Sequence, residues 1–243
     1  MKTIGLTHAG HARAKNEDYF LIRCEKMPYY MLVADGMGGH AAGEVASKTA
    51  ADAVMEHIEN SGLRKLTESR IRQAIAYANK KLLKAIEQDG TLKGMGTTLT
   101  FAYVENDDMI VAQVGDSGAY IFNGNSVKKI TKDHTYVQNL IDKGLMEKSK
   151  AADSPLRNII TRALGMQKLE VDIYNVKWKE GDFLLLCSDG LTDYMGIQKM
   201  EQVFSGGGCI EEKAREFIDY ALGSGGIDNI TVIIAKNETG EVL

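Results

Sequence analysis

Between Thr97 and Ile130 the chain carries four strand-like runs in succession, at 97–104, 109–114, 118–123 and 127–130, with no room for a helix between them. Neighbouring parallel strands need a crossover of about a dozen residues, so runs this close together belong to antiparallel sheet. Two turns fit this reading, Glu105-Asn106-Asp107-Asp108 and Asn123-Gly124-Asn125. The second is the stronger hairpin signal, because Asn and Gly both tolerate positive φ.

Further strand patterns stand at 19–24, 30–34, 170–176, 182–188 and 230–236, rich like the others in Val, Ile, Tyr, Phe and Thr. Two long helical patterns come one after the other. In 44–58, Val45, Ala46, Ala50, Ala53, Val54 and Ile58 share a face; in 70–86, Ile71, Ala74, Ile75, Ala78, Leu82, Leu83 and Ile86 do the same. Each is expected to lay that face on a sheet. Shorter helices are expected at 136–143, 197–204 and 211–222, the last stopping at Gly223. Strands outnumber helices and do not alternate with them, which excludes a parallel α/β fold and predicts α+β.

With 243 residues, 44% of them hydrophobic, the chain is long enough for one well-buried domain, expected to span 1–243. The Gly206-Gly207-Gly208 and Gly223-Ser224-Gly225-Gly226 stretches read as connections within it. The charge of −4 comes from 29 basic and 33 acidic residues without a long run of either sign, so neither nucleic acid nor a membrane surface is an expected partner. Cys24, Cys187 and Cys209 form no C-x-x-C pair and read as small core hydrophobes in a reducing compartment. Residues 1–8 lack a signal peptide's apolar core, and no later segment offers the roughly 20 apolar residues of a membrane span. The expected location is cytoplasmic.

Five aspartates stand where apolar runs begin or end: Asp18, Asp35, Asp116, Asp189 and Asp228. Strand ends let a rigid sheet aim several side chains at one point, and carboxylates suit hard cations such as Mg²⁺ or Mn²⁺. In Asp35-Gly36 and Asp189-Gly190 the glycine also lets a backbone carbonyl approach an ion. An Asp-Gly pair on its own is an ordinary turn signal; the constellation favours a metal site. Arg13, four residues before Glu17, supplies a planar cation suited to a phosphate.

The ordered motifs resemble those of metal-dependent type 2C (PPM) protein phosphatases, above all the small bacterial members. They are Arg13-x-x-Asn16-Glu17-Asp18, Asp35-Gly36-Met37-Gly38-Gly39-His40, Gly96-Thr97-Thr98, Gly115-Asp116-Ser117, Thr131-Lys132-Asp133-His134, Thr161-Arg162-Ala163-Leu164-Gly165, Ser188-Asp189-Gly190 and Asp228-Asn229-Ile230-Thr231. The likeness covers about 7–235, nearly the whole chain.

The resemblance implies a four-layer α-β-β-α sandwich, with two central antiparallel sheets flanked by helices and a binuclear Mn²⁺ or Mg²⁺ centre at one end. Asp35 would bridge both ions, Asp189 and Asp228 would hold the first, and the Gly36 carbonyl the second. Glu17 and Asp18 share the remaining role, with the direct ligand of the two left open. Asp116 with Asp189 would bind a weaker third ion, Asn229 would support the ligands from outside, and Arg13 would bind phosphate. The implied reaction is attack of a metal-activated hydroxide on phosphoserine or phosphothreonine, without a covalent phosphoenzyme. The implied partners are phosphoproteins and a cognate Hanks-type Ser/Thr kinase, and the enzyme is expected to be a monomer.

Better-known eukaryotic relatives carry a His directly after the Asp-Gly pair as the proposed general acid; Met37 takes that place here. His40 is the nearest candidate donor, with loop ordering as an equal alternative. His134, beside Asp133, reads as a capping or hydrogen-bonding residue. A segment at about 144–165, containing Lys148, Lys150, Arg157 and Arg162, corresponds to the mobile flap of bacterial relatives and is expected to help choose the phosphoprotein. Two other classes compete: a non-catalytic phosphoprotein-binding or regulatory domain of the same fold, and a metal-dependent phosphoesterase for small molecules or nucleic acid. The filled acidic positions weigh against the first.

Overall fold

The computed structural model describes residues 1–38, 42–62, 65–151 and 154–238. In chain order the strands and helices are β1 (Lys2–His8), β2 (Asp18–Arg23), β3 (Tyr29–Met37), α1 (Ala42–Asn60), α2 (Glu68–Gln88), β4 (Gly96–Thr97), β5 (Leu99–Glu105), β6 (Asp108–Val114), β7 (Gly118–Phe122), β8 (Val127–Lys129), α3 (Tyr136–Asp142), β9 (Asp172–Lys177), β10 (Phe183–Cys187), α4 (Asp189–Thr192), α5 (Ile197–Ser205), α6 (Ile210–Gly223) and β11 (Ile230–Lys236). One sheet has the order β1-β11-β10-β7-β8; the other has β2-β3-β5-β6-β9, with β4 added to β3. The pairings are antiparallel.

Strand periodicity explains three separate cores. In β10, Phe183, Leu185 and Cys187 point outward into a core with α5 and α6, while Leu184 and Leu186 point inward between the sheets. β3 divides in the same way: Leu32 and Ala34 face α1 and α2, and Met31 and Val33 face the other sheet. Both faces are covered, so these strands read as continuous apolar runs rather than alternating ones. The result is the expected four-layer α-β-β-α sandwich. On α1 and α2, Ala46, Ala50, Val54, Ile71, Ile75, Ala78 and Leu82 are buried on the face that helical spacing selected, whereas Val45, expected there too, is exposed at the edge of it. Thr67 caps α2 by accepting a bond from the Arg70 amide.

Two features differ from the sequence reading. β1 carries no strong strand signal because Gly5 interrupts it, yet a Cβ there would meet the Phe20 ring at 2.3 Å, so the glycine is what lets β2 pack against β1. The four successive runs also do not form one sheet. Each turn closes a hairpin, pairing β5 with β6 and β7 with β8. Gly115-Asp116-Ser117 instead carries the chain from one sheet to the other.

The cysteines are all free. Cys187 is a core residue as expected, but Cys24 is half-buried and Cys209 exposed, since Cys209 precedes α6 rather than lying in an apolar run. Among the described residues no helix is long and apolar enough to cross a membrane.

Candidate metal centre

The acids come from both sheets at one end of the sandwich. Antiparallel register sets Asp18 of β2 opposite Asp35 of β3. Asp189 opens α4 directly after β10, Asp228 precedes β11, and Asp116 sits on the crossover between sheets. The carboxylates are close enough to disturb one another: Asp35 feels Asp18, Asp189 and Asp116, and Asp18 feels Asp189 and Asp228.

Both Asp-Gly pairs are shaped by crowding rather than by turns. Neither glycine has positive φ. A Cβ on Gly36 would lie 2.1 Å from the Gly43 carbonyl oxygen, and one on Gly190 would lie 2.0 Å from that of Asn229. Gly43 in turn abuts the Glu17 carboxylate, where a Cβ would come within 2.6 Å.

A set of hydroxyls and amides holds the acids in place. Asp18 Oδ2 accepts bonds from Ser188 Oγ and Thr231 Oγ1, both at 2.7 Å. Thr231 spends its proton on Asp18, so Thr7 Oγ1 must be the donor in the 2.7 Å Thr7–Thr231 contact; Thr7 itself accepts from Asn16 Nδ2. The Asp35 amide donates to Thr98 Oγ1 at 2.9 Å, and Thr97 Oγ1 donates to the Asp35 carbonyl. Asn229 Oδ1 accepts the Glu17 amide at 2.8 Å while its Nδ2 donates to the carbonyls of Ala9 and Lys15. Ser47 Oγ of α1 donates to the Glu17 carbonyl at 2.6 Å. Arg13 bonds Asp228 Oδ2 at 2.8 Å.

Burial dominates the electrostatics. Loss of water pushes the Asp18 carboxyl up to about 7, against the pull of its Thr231 and Ser188 bonds and with a further push from Asp189 and Asp228. Burial likewise lifts Asp189 to about 6, and raises Asp35 and Asp116 well above the ordinary carboxylate value. Asp35 and Asp189 stand close enough for each carboxyl to shift the other.

Among the described residues, no three His, Cys, Asp or Glu side chains close around a point as an ion's cage. The Asp18 and Asp228 carboxylates are each turned in part to partners within the chain. Three oxygens nevertheless have none: Asp18 Oδ1, Asp116 Oδ1 and Asp189 Oδ1 are the buried side-chain polar atoms without a hydrogen bond among the described residues. A buried, unpartnered carboxylate oxygen is costly unless something positive faces it. The donor set therefore fits a hard divalent cation.

His40 lies outside the described residues. His134 is a hydrogen-bonding residue, as expected, but the cap of α3 is Thr135. Its Nδ1 accepts the Gly115 amide at 3.1 Å, leaving Nε2 to donate to Asp172 Oδ2 at 3.1 Å. Burial holds its imidazole below the ordinary value. A cavity of about 590 Å³ runs outward from Asp116 and Asp189, lined by Lys148 and Arg157 and by Asp193. The supporting residues Ser47, Thr98, Ser188 and Thr231 escaped the sequence reading. The last three sat within the quoted motifs, yet a hydroxyl beside a carboxylate does not reveal its partner.

A two-sheet sandwich with carboxylates from both sheets gathered at one end is the arrangement that the resemblance to metal-dependent type 2C phosphatases leads one to expect. Residues 5–206 match the family described as Protein phosphatase 2C, and the chain belongs to that family. It is 38% identical over 237 residues to the serine/threonine phosphatase stp of Listeria welshimeri, covering 95% of this chain and 93% of that protein. A solved bacterial serine phosphatase superposes with a TM-score of 0.92 at 34% identity, covering all of both chains. The catalytic domain of the serine threonine protein phosphatase PstP in complex with 2 manganese ions gives 0.83 at 31% identity, covering 97% of each chain. The chain is thus a bacterial-type protein serine/threonine phosphatase acting on phosphoproteins, in a family that is metal-dependent.

Proposed function

We propose that the chain, as a single domain over 1–243, hydrolyses phosphoserine and phosphothreonine at a centre holding two Mn²⁺ or Mg²⁺ ions. The observation that carries this is the trio of buried, unpartnered oxygens on Asp18, Asp116 and Asp189. Asp35 would bridge the ions; Asp189 and Asp228 would hold one, and the Gly36 carbonyl with Glu17 the other. Glu17 is the carboxylate on the Gly36 and Gly43 side. Asp18, fixed by Ser188 and Thr231, would act through water. Asp116 and Asp189 would share a weaker third ion. Such ions supply an activated water nucleophile and neutralise charge on the phosphoryl group.

The chain's own residues do the rest. Arg13, half-exposed beside Asp228, would turn its guanidinium to an incoming phosphate. Asn229, bonded to the carbonyls and amide of residues 9, 15 and 17, keeps the segment bearing Arg13 and Glu17 in register with Asp228. His40 remains the candidate proton donor to the leaving oxygen. The flap at about 144–165, through Lys148 and Arg157, would select among phosphoproteins. The enzyme would work as a cytoplasmic monomer opposing a Hanks-type Ser/Thr kinase.

The test is phosphate release from a phosphothreonine peptide and from a general phosphomonoester with Mn²⁺ added, beside Asp35→Asn and Asp189→Asn. Metal-dependent release from the peptide that both substitutions abolish is expected. No metal-dependent release from the wild type, or equal release from the variants, would reject the proposal.

A further inference from the structure

Gln113 is fully buried in β6, a polar side chain in a strand that otherwise reads Met109-Ile110-Val111-Ala112. Its amide is completely engaged. Nε2 donates to the Gly115 carbonyl at 3.0 Å and also to the Ser117 carbonyl. Oε1 accepts from Thr100 Oγ1 at 2.6 Å, its neighbour across the β5–β6 register. The reverse orientation of the amide would set Oε1 against two carbonyl oxygens, so the donor side is fixed by its partners.

The two carbonyls flank Asp116, the residue at the crossover between sheets. Ser117 Oγ lies 2.7 Å from Thr98 Oγ1, which accepts the Asp35 amide. The network thus runs from the turn that carries Asp116 to the backbone of Asp35. Gly115 has φ +98, and a Cβ there would meet Thr98 at 2.6 Å, so this turn fits one backbone path. Asp116 Oδ1 is buried without a partner. Where that oxygen points is decided by the backbone on either side of it.

We infer that Gln113 is a positioning residue, whose amide fixes the Gly115–Ser117 crossover and so aims the Asp116 carboxylate at the ion it shares with Asp189. This rests on the proposed reading of Asp116 as a ligand of the weaker ion. The acids proposed for the paired ions have anchors outside it: Asp35, which the network reaches only through Ser117 Oγ and Thr98, is also held by Thr97, and Asp228 is held by the Asn229 amide and Arg13. Losing the amide therefore disturbs one ion more than the others.

The test uses Gln113→Met, which keeps the length and removes both donors, in the full chain stripped of metal. Calorimetric titration with Mn²⁺ resolves tight and weak ions, and Asp116→Asn identifies the weak one. The weak ion is expected to lose at least about tenfold in affinity, the scale for residues that orient metal ligands, while the tight ions move less than about threefold. Phosphopeptide KM stays unchanged as the Mn²⁺ concentration giving half-maximal rate rises. In metal-free protein, amide exchange at 115–118 accelerates while that of β10 does not. Thr100→Val removes the hydroxyl that lies 2.6 Å from Oε1 and 3.1 Å from the Ser117 carbonyl, loosening the same amide–carbonyl network; it should give the same pattern more weakly and serves if Gln113→Met fails to fold. Equal weakening of all ions, an unchanged weak ion or unchanged exchange would overturn the inference. A wild type that binds no Mn²⁺ would reject the metal reading and the aiming of Asp116, while exchange separately decides whether Gln113 holds the crossover.

Discussion

Removing metal should invert the pH dependence of stability. In the metal-free fold, burial and mutual repulsion lift the Asp18 carboxyl from 3.8 to about 7. A raised folded value means that the folded state holds the proton more tightly than the unfolded one. The stabilisation is fully present below the unfolded value and is lost as pH rises through the folded one. For Asp18 alone, the loss between about pH 5 and pH 8 is on the order of 2–3 kcal/mol. Asp189, lifted to about 6, adds in the same direction. At about 2–4 °C per kcal/mol for a chain of this size, the melting midpoint should fall by roughly 5–10 °C. The assay is thermal or urea unfolding of chelator-stripped protein across that range, repeated with saturating Mn²⁺. Ion binding needs ionised carboxylates, so the Mn²⁺ form should not lose stability as pH rises. Asp18→Asn keeps an oxygen for Ser188 and Thr231 but cannot ionise; it should flatten the metal-free profile and shrink the stabilisation by Mn²⁺. Metal-free protein that is equally or more stable at the higher pH would refute the reasoning.

Lys213 is almost fully buried, and its Nζ donates to the carbonyls of Val203 at 2.9 Å, Gly206 at 2.6 Å and Gly207 at 3.3 Å, closing the end of α5. Lys213→Met should lower unfolding free energy by about 3 kcal/mol, measured in urea, with phosphopeptide KM unchanged. Asn229→Ala should free residues 9–17, seen as faster amide exchange there, and lower activity by about 10–100-fold. Arg13→Ala should raise phosphopeptide KM by about 10–100-fold, the value of one charge-assisted bond; an unchanged KM would remove Arg13 from phosphate binding.

Local signals carried most of the fold. Short turns gave the hairpins β5–β6 and β7–β8, and helical spacing gave the faces of α1 and α2, because both patterns are written within about 20 residues. β1 was invisible: its pairing with β11 joins the two ends of the chain, and Gly5 is explained only by Phe20 arriving from β2. The change of sheet at Gly115–Ser117 was not legible, since sequence shows that a strand stops but not which neighbour the next one finds. The acids were legible because a carboxylate at the end of an apolar run is conspicuous. Their supports were not. Ser188 and Thr231 meet Asp18 from 170 and 213 residues away, and Gln113 showed itself only as one amide in an apolar strand.

The separation of the cores bears on how this enzyme tolerates change. The core under α5 and α6 shares no residue with the one under α1 and α2. α1 reaches the acids through Ser47 and Gly43, whereas the α5–α6 layer builds its own aromatic cluster of Phe122, Phe183, Phe204 and Phe217. One outer shell thus meets the centre on the Glu17 side, and the other on the Asp189 side, where Leu191 and Met195 join the α5–α6 core. Labels, fusions or a redesigned surface belong on the exposed face of α6, at Glu211, Arg215 and Asp219, where a change leaves the alignment of Asp18, Asp35 and Glu17 untouched.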